Sequence, residues 1–369
     1  MPTPPFAATR HLDTPFLLLD PAAAVRALGE VRVALPGVEI FYALKANSHP
    51  AVAAAVAAAG AGFELASPAE LRQLLAAGIA PHRLMCLHPV KAPAFLTLLA
   101  QAGVDLLAVD AAEEVEKVGT LAPGSRVLVR VDVPNQGSRH PLRRKFGCPP
   151  GDAVGLLRLA RSCGLRPAGL TTHVGSQCES PATWATAADI LVAVAREAAA
   201  AGLPPETISL GGGLPVAYTP DVPSLDRIGR VLAGFAPGRR VTAEPGRAIA
   251  APAGTLFASV IGLADRPDGR WAYLDAGLHH GLCEALPAAG GFVLPVEAEA
   301  HGPQRTYTLA GPTCDALDTL PARVELPELR VGDRVAFRLA GAYSTGLSRP
   351  FNGYPVPAEV VAPVPLGPI

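Results

Sequence analysis

The first two thirds of the chain alternate between short apolar runs and longer runs with helical periodicity. A helical pattern follows each of the first seven apolar runs, and SPAELRQLLAAG begins with a capping box of Ser67 and Glu70. Strands that alternate with helices in this way predict a parallel sheet. The predicted strands are VEIFYAL (38–44), GFELA (62–66), RLMCLH (83–88), DLLAVD (105–110), RVLVRVDV (126–133), PAGLTTHV (167–174), TISL (207–210) and RVTAE (240–244).

The number of strand–helix repeats favours a closed parallel barrel over an open parallel sheet. Eight strands in roughly 220 residues match the size of a (β/α)₈ barrel, which we prefer to an open doubly wound sheet. After Glu244 the pattern changes to strand-like runs joined by turns, with little helix. We therefore predict an α/β barrel over residues 25–250 and an all-β domain, of Greek-key or β-barrel type, over residues 1–24 and 251–369. The strand TPFLLLD (14–20) precedes the barrel and is a candidate to pair with it.

Composition predicts a sizeable buried core and gives no sign of a highly charged binding partner. Half of the residues are hydrophobic, 17% are charged and the net charge is −1, so nothing indicates nucleic acid or an anionic membrane as a partner. The six cysteines show no CxxC pair and no metal-ligand spacing, and no signal peptide or membrane-spanning run is recognisable. We expect a cytoplasmic protein without a metal site, and we interpret the basic run SRHPLRRK (138–145) as a solvated loop.

Polar and charged side chains lie at the carboxyl ends of the predicted strands, where parallel barrels carry their active sites. Lys45 ends the first barrel strand, and a lysine at the end of a buried strand is costly unless its charge is used or lost. We interpret Lys45 as an amine with a lowered pKa that forms a Schiff base with a carbonyl or with pyridoxal phosphate (PLP). The residues at the eight strand ends are Lys45, Glu64, His88, Asp110, Arg130, His173, Gly211 and Glu244.

The last two predicted strands end in motifs that suit a phosphorylated ring. The glycines at 211–213 allow backbone N–H groups to close on an anion, and barrels often bind phosphate beside strands seven and eight. In EPGR, Arg247 can make a bidentate phosphate contact and Glu244 can hold a proton on a pyridine nitrogen. His173, at the end of the sixth strand, is a candidate ring to stack on a planar cofactor.

Together these residues resemble the fold-type III PLP-dependent decarboxylases, the group of ornithine, lysine/ornithine, arginine and diaminopimelate decarboxylases. The resemblance implies an alanine racemase-like barrel with a β-domain, PLP as cofactor, and a head-to-tail homodimer whose active sites lie at the subunit interface. The matching segments occur in the family's order over residues 14–353: TPFLLLD, FYALKAN, ELASPAEL, HPVK, RKFG, HVGSQ, GGGLP, EPGR, YLDAG, GPTCD, GAY and FNG.

The resemblance also implies roles for individual residues of this chain. Lys45 forms the Schiff base, His173 stacks on the cofactor ring, and Glu244 pairs with the ring nitrogen. Cys314 enters from the partner subunit and donates a proton to the α-carbon, while Asp315 beside it binds the distal group of the substrate. The other implied ligands are Arg130 near the cofactor, Phe351 in the substrate pocket, and Ser176, Gly212, Gly213, Arg247 and Tyr343 around the phosphate.

The segment YLDAGLHHGLCEAL (273–286) carries the most information about the substrate. It is similar to the corresponding segment of bacterial ornithine and lysine/ornithine decarboxylases at Asp275 and Glu284, and it lacks the run that follows in diaminopimelate decarboxylases. Asp275 and Asp315 would place two carboxylates at the far end of the substrate, where they need a cation between them. A basic amino acid is therefore predicted, first L-ornithine giving putrescine, with lysine open.

Several departures from the family keep alternatives open. The family usually has Asp at position 64 and Asn at position 88, and the pair His279–His280 is unusual. The alternative substrates are diaminopimelate and a pathway-specific, possibly carrier-linked, amino acid. A racemase-like enzyme and a non-catalytic regulatory homologue are further alternatives. In a regulatory homologue we expect Lys45 or Cys314 to be replaced, and both residues are present.

Overall fold

Two eight-stranded sheets contain most of the strands. The computed structural model describes residues 5–142 and 144–362. Its strands are β1 (Phe16–Leu19), β2 (Glu39–Ala43), β3 (Gly62–Glu64), β4 (Leu84–Met85), β5 (Leu106–Val109), β6 (Arg126–Arg130), β7 (Ser138–His140), β8 (Arg166–Thr171), β9 (Ser176–Cys178), β10 (Thr207–Ser209), β11 (Arg240–Ala243), β12 (Gly254–Arg266), β13 (Gly269–Leu274), β14 (Val296–Ala298), β15 (Gln304–Ala310), β16 (Thr319–Pro327), β17 (Arg334–Phe337) and β18 (Ala358–Val361). Its α-helices are α1 (Pro21–Ala34), α2 (Pro50–Ala58), α3 (Pro68–Ala76), α4 (Pro93–Gln101), α5 (Ala112–Leu121), α6 (Ala153–Ser162), α7 (Pro181–Ala200), α8 (Leu225–Leu232) and α9 (Arg247–Ala250).

The first sheet is a closed parallel barrel. Its strands pair in the order β4, β3, β2, β11, β10, β8, β6 and β5. The remaining seam, between β4 and β5, closes through a parallel bridge between Cys86 and Leu107. A helix follows each of the eight strands. The predicted (β/α)₈ barrel is therefore confirmed, and the open doubly wound sheet is wrong.

The β4–β5 seam has few backbone hydrogen bonds and is reinforced by a buried lysine. Cys86 exchanges two backbone hydrogen bonds with β5, of 3.0 and 3.1 Å. The side chain of Lys91 is fully buried, and its Nζ donates to the carbonyls of His88 (3.0 Å) and Ala108 (2.6 Å). Glu114 lies 3.2 Å from the same ammonium and balances its charge. One side chain thus connects the loop after β4 to the next strand.

Alternate residues of the barrel strands point into the barrel interior. Phe41 and Leu128 belong to an apolar cluster of alternate strand residues inside the barrel, whereas Tyr42 belongs to the outer core that packs on the helices. Because successive side chains of a strand point to opposite faces, Arg130 of β6 lies on the inner face with Leu128, whereas Lys45 lies in the single 3₁₀ turn Leu44–Ala46 directly after β2. Strand alternation thus places Arg130, and the turn after β2 places Lys45, at the carboxyl end of the barrel.

The helices cover the outside of the barrel, and their ends follow local sequence signals. At the start of α3, Ser67 Oγ accepts the N–H of Glu70 (3.2 Å), and Glu70 Oε2 accepts the N–H of Ala66 (2.6 Å). The predicted cap is thus present, with the return bond one residue earlier than in a standard capping box. In the described ranges, none of the helices combines the length and the apolar character needed to cross a membrane.

The second sheet is built mainly from antiparallel strands of the last third of the chain. Six strands pair in the order β14, β17, β12, β13, β15 and β16, and β1 and β18 join at β12. β1 pairs antiparallel with β12 and parallel with β18, so the strand at 14–20 does not pair with the barrel. Phe16 of β1 stacks on Phe257 of β12 with ring centres 4.9 Å apart, which explains its place in this sheet. The all-β region is confirmed, and the exact boundaries at residues 24 and 250 stay a prediction.

Candidate active site

A cavity of about 520 Å³ lies at the carboxyl ends of the barrel strands. It collects most of the residues that the sequence assigns to a cofactor. Asp110 also follows a barrel strand, but its Oδ2 accepts the N–H of Gly147 (2.7 Å) and it is not among the described lining residues. The predicted residues that line the cavity are Lys45, Glu64, His88, Arg130, His173, Ser176, Gly212, Gly213, Glu244, Arg247 and Tyr343.

Lys45 forms an ion pair with Glu64 inside the cavity. Its Nζ lies 3.0 Å from Glu64 Oε2, and the Lys45 side chain is 45% exposed whereas Glu64 is buried. Burial lowers the pKa of Lys45, but Glu64, Tyr343 and Glu244 outweigh this effect and raise the pKa above its ordinary value. The expected lowered pKa is therefore wrong for the protein without cofactor. Lys45 is an ammonium there and must lose a proton before it acts as a nucleophile.

Glu244 occupies a buried position next to Ser209. The hydroxyl of Ser209 donates to Glu244 Oε1 and accepts the N–H of Gly211 (3.1 Å). Burial first, and then the charge of Glu64, raises the pKa of Glu244 to about 7, although the Ser209 hydroxyl opposes this shift. A carboxyl group with such a pKa exchanges its proton near neutral pH, which suits a partner for a basic ring nitrogen.

The raised pKa of Glu244 predicts how the stability of the cofactor-free protein depends on pH. The unfolded chain releases this proton near pH 4.5, whereas the folded protein keeps it until about pH 7. The folded state therefore loses stability as pH rises through this window, because the unfolded state ionises first. Between about pH 5 and 8, the free energy of unfolding measured in urea should fall by about 2 kcal/mol more for the wild-type protein than for Glu244→Gln. Glu206→Gln, at an exposed position, is the control, and equal pH slopes for wild type and Glu244→Gln would contradict the prediction.

The imidazole of His173 is held in a neutral form. Gly175 donates its N–H to Nδ1 (3.0 Å), so this nitrogen carries the acceptor lone pair. Burial first, and then Arg130 and Lys45, keeps the pKa of His173 well below its ordinary value. A Cβ on Gly212 would lie 3.1 Å from Nε2, so the ring edge lies against glycine backbone. A neutral ring in this position is able to stack on a planar ligand, and that role stays a prediction.

One end of the cavity is formed by closely packed glycine backbone and polar side chains. A Cβ on Gly213, where φ is +107°, would lie 2.2 Å from the carbonyl oxygen of Gly175. Only glycine fits there, because the loops after β8 and β10 approach each other too closely for a side chain. The hydroxyl of Ser176 accepts from Nη2 of Arg247 (3.2 Å). Tyr343 also lines this end, with its hydroxyl 3.3 Å from a Cβ built on Gly246.

Arg247 is oriented by contacts that the sequence patterns do not predict. Its two terminal nitrogens bind the carboxylate of Glu284, each at 2.6 Å, and Nη1 also donates to the hydroxyl of Tyr218 (3.2 Å). The guanidinium lies 4.2 Å from the ring centre of Phe292 and 4.9 Å from that of Tyr343. Glu284 could have been identified only as part of the segment 273–286, and Tyr343 is a predicted phosphate ligand, whereas Tyr218 and Phe292 carry no sequence signal. The orientation of Arg247 is thus set by protein contacts before a ligand binds.

The basic run at 138–145 is exposed over much of its described length, as expected for a solvated loop, and it also contributes to the cavity wall. Its first residues form β7, which pairs with β9, and Lys145 lines the cavity. Position 143 lies outside the described residues. Phe146 follows the run, and the ring of His88 packs edge-on against it with centres 5.3 Å apart. The aromatic residue of this wall is one position beyond the run, so the charge pattern alone does not indicate the contribution to the cavity.

Asp275 is a structural residue of the second sheet, and its predicted role in substrate binding is not supported. Its Oδ2 accepts the hydroxyl of Thr14 (2.5 Å), and its Oδ1 accepts the N–H of Ser259 (2.8 Å). It is not among the described residues that line the cavity. Burial raises the pKa of Asp275, and these two donors oppose that shift by holding its charge. The carboxylate connects the segment before β1 to β12, and these contacts within its own chain give no support to a role in substrate binding.

Cys314, Asp315 and Phe351 lie on the surface and not in the cavity of their own chain. Cys314 is exposed, and its N–H donates to Oδ1 of Asn352 (3.3 Å). Phe351 is 37% exposed, with its ring centre 4.5 Å from that of His279. None of the three belongs to the described lining of the cavity. Their predicted roles therefore require a second chain.

Asp318 fixes the loop that carries Cys314 and Asp315. Its buried carboxylate accepts the N–H of Leu278 (2.7 Å) and the hydroxyl of Thr313 (2.7 Å). Asp318→Ala should lower the free energy of unfolding by about 3 kcal/mol, because it leaves these buried donors without an acceptor. Urea unfolding measures the change, with the highly exposed Asp265→Ala as control. A loss as small as that of the control would contradict the anchoring role.

The donor set of the cavity fits one class of cofactor. Lys45 supplies an amine for a carbonyl, and Glu244 supplies a carboxyl group that can hold a proton on a ring nitrogen. The glycine-lined end, with Ser176 and Arg247, supplies backbone and charged donors for a phosphate group. His173 supplies a flat neutral ring at the side. These residues fit PLP.

Comparisons with known proteins agree with this arrangement. The family model described as pyridoxal-dependent decarboxylase, pyridoxal binding domain, matches residues 22–251. The lysine/ornithine decarboxylase of Selenomonas ruminantium is 31% identical over 353 residues, which cover 94% of this chain and 88% of that protein. The lysine/ornithine decarboxylase of Vibrio vulnificus, complexed with putrescine, is 31% identical with a TM-score of 0.87, covering 97% of this chain and 96% of that one. The arginine decarboxylase of Paramecium bursaria Chlorella virus, bound to agmatine, is 25% identical with a TM-score of 0.89, covering 97% and 98%.

Proposed function

The chain belongs to the pyridoxal-dependent decarboxylases of basic amino acids, and from this premise we propose that it converts L-ornithine to putrescine and carbon dioxide. PLP is its cofactor. The observation that carries the proposal is one cavity that combines the amine of Lys45 and the carboxyl group of Glu244 with a glycine-lined end and Arg247. An amine, a proton holder and a phosphate site are the three elements that PLP chemistry requires of a protein.

Bound PLP supplies an electron-accepting ring that stabilises the electron pair left on the α-carbon when the carboxylate departs. Lys45 would supply the amine that holds the cofactor covalently and that the α-amine of the substrate would replace during turnover. Glu244 is proposed to keep a proton on the ring nitrogen, which its buried position beside Ser209 supports. His173 is proposed to pack on the ring, and Arg130 to lie beside it. Arg247, Ser176, Tyr343 and the backbone at Gly212 and Gly213 are proposed to bind the phosphate oxygens.

We propose that the site is completed by a second copy of the chain. The loop that carries Cys314 and Asp315 is on the surface, and apolar side chains are exposed in this loop and in the segment 347–351, whose Phe351 packs on His279 beside Asp315. Leu317 is 68% exposed, Leu347 is 55% exposed and Phe351 is 37% exposed. A cluster of exposed apolar side chains is typical of an interaction surface. In a homodimer this surface would cover the partner's cavity, where Cys314 would donate a proton to the α-carbon and Asp315 would bind the distal end of the substrate.

The choice of ornithine depends on the distal end of the substrate. Because Asp275 is hydrogen-bonded within the second sheet, Asp315 is the one carboxylate that we propose at the distal end of the substrate. An ionised carboxylate favours a substrate with a distal ammonium. The relative from Vibrio vulnificus, complexed with putrescine, supports a diamine product, whereas the viral relative is an arginine decarboxylase. Lysine and arginine are therefore the substrates to compare with ornithine.

A panel of four amino acids tests the proposed substrate. PLP-loaded enzyme is assayed with L-ornithine, L-lysine, L-arginine and diaminopimelate, and both carbon dioxide and amine are measured. The value of kcat/KM for ornithine should exceed that for arginine by about tenfold or more, because a single carboxylate matches an ammonium of fixed reach. Lys45→Ala protein is the blank. Turnover of diaminopimelate alone would contradict the proposal, and no turnover of any of the four would indicate a pathway-specific substrate or a regulatory homologue.

A further inference from the structure

His279 lies between an arginine and an aspartate beside the loop at 311–318. Arg349 donates to Nδ1 of His279 from Nε (3.1 Å) and from Nη2 (2.8 Å). On the other side of the ring, Nε2 lies 3.1 Å from Oδ2 of Asp315. The imidazole is buried, and the ring of Phe351 packs against it at 4.5 Å between centres. The Arg349 N–H also donates to the carbonyl of His279 (3.0 Å), so the three polar residues form one connected unit.

The arginine determines which ring nitrogen of His279 carries the proton. A guanidinium can only donate, so Nδ1 must be the acceptor in this contact. In the neutral ring the hydrogen is then on Nε2, which donates it to Asp315. His279 therefore binds both charged groups while it keeps the guanidinium away from the carboxylate.

Asp315 is oriented by two hydrogen-bond donors. Its Oδ1 accepts the N–H of Leu317 (2.9 Å), and its Oδ2 faces the imidazole. The Leu317 N–H first, and then His279, holds the pKa of Asp315 below its usual range, so the carboxylate is ionised at neutral pH. The side chain is nevertheless 29% exposed, which leaves it accessible to a ligand. A carboxylate with a fixed direction binds a cation at a smaller cost in side-chain entropy.

We propose that His279 is a positioning residue that determines specificity: it directs Asp315 towards the distal ammonium of the substrate and keeps Arg349 from neutralising that carboxylate. The inference rests on the proposed function, because the ammonium belongs to a basic substrate bound in the partner's cavity. Removal of the imidazole frees the guanidinium to pair with Asp315 directly. The arginine would then compete with the substrate for the same carboxylate.

The test compares two amines of equal chain length on the PLP-loaded enzyme. Putrescine has a distal ammonium and n-butylamine has none, so the ratio of their dissociation constants measures the distal contact alone. The absorbance of the bound cofactor reports binding of either amine without turnover. In His279→Leu the preference for putrescine should fall roughly tenfold, while binding of n-butylamine changes little. His279→Gln should keep most of the preference, because its amide can both donate and accept.

Two further variants separate positioning from general damage. Arg349→Gln introduced into His279→Leu should restore part of the preference, because it removes the competing guanidinium. If His279→Leu does not fold, the single variant Arg349→Gln should still lower the preference about twofold, because the proton of the ring is no longer held on Nε2. His301→Leu, at an exposed histidine elsewhere in the β-rich region, is the matched control and should keep the wild-type ratio.

The possible failures of this experiment are distinguishable. An unchanged ratio in His279→Leu, or equal weakening of both amines, would overturn the role of His279 alone. A wild-type enzyme that binds putrescine and n-butylamine equally well would overturn the distal-ammonium part of the proposed function, and the inference with it. Turnover in the amino-acid panel then decides whether a basic substrate is used at all.

Discussion

Lys45→Ala is expected to lower the rate of ornithine decarboxylation at saturating substrate by at least roughly 10³-fold, because it removes the amine that forms and releases the covalent link to the cofactor. Carbon dioxide release from PLP-loaded protein measures the loss. In the wild-type enzyme, borohydride reduction followed by peptide mass spectrometry should place the cofactor on Lys45. In the variant, the same treatment should leave the peptide unmodified.

Lys45→Arg is the control that separates chemistry from charge. Alanine at this position leaves the buried carboxylate of Glu64 without its cation, so a loss of activity in this variant has two explanations, lost chemistry and a damaged fold. Arginine restores a cation beside Glu64 but is not a nucleophile at neutral pH. Lys45→Arg should therefore recover stability in urea unfolding and remain inactive. An active Lys45→Arg enzyme would contradict the assignment of Lys45.

Mixing two inactive variants is expected to restore about one quarter of the wild-type rate of amine formation, if each site takes residues from both subunits of a homodimer. The variants are Lys45→Ala and Cys314→Ala. Cys314→Ala should bind PLP but form little amine, because it lacks the proposed proton donor. Half of the randomly mixed dimers are heterodimers, and each of these has one site with a native Lys45 and a native Cys314. The amine product is measured after the subunits have been mixed and allowed to exchange.

The control for this mixing experiment pairs two residues of one cavity. Lys45 and His173 line the same cavity of the same chain. A mixture of Lys45→Ala and His173→Ala subunits leaves every site with one lesion and should recover nothing. Recovery in the control would show that the exchange itself creates activity. No recovery with Cys314→Ala would contradict the shared site and would leave Cys314 without a role in this reaction.

The barrel and much of its site could be predicted because strand geometry is periodic. Inward positions recur every two residues, so the apolar residue Leu128 determines that Arg130 belongs to the inner face, and Lys45 is expected at the same end because it directly follows a strand pattern. The carboxyl ends of parallel strands meet at one end of the barrel, so residues far apart in sequence share one cavity. Local pattern is sufficient for both inferences.

Contacts made by loops and by the second sheet could not be predicted in this way. Asp275 was assigned to the substrate from its motif, yet its partner Thr14 lies 261 positions away in the sequence. Glu284, Tyr218 and Phe292 reach Arg247 from segments whose paths no periodicity determines. Burial can be estimated from sequence, but the position of a neighbouring charge cannot. This explains why the direction of the Lys45 pKa shift was wrong until Glu64 was located beside it.

The seam between β4 and β5 has a consequence for how the barrel fluctuates. Two backbone hydrogen bonds and the buried ammonium of Lys91 hold it, whereas β6 and β8 pair over most of their length. Local opening is favoured where few backbone bonds must break, so transient separation of the barrel wall is cheapest at this seam. His88, at the rim of the cavity, follows β4 directly. Local opening of the barrel would therefore be concentrated beside the active-site entrance, whereas β6, which carries Arg130, and β8, which ends two residues before His173, would exchange their amide protons more slowly than the seam.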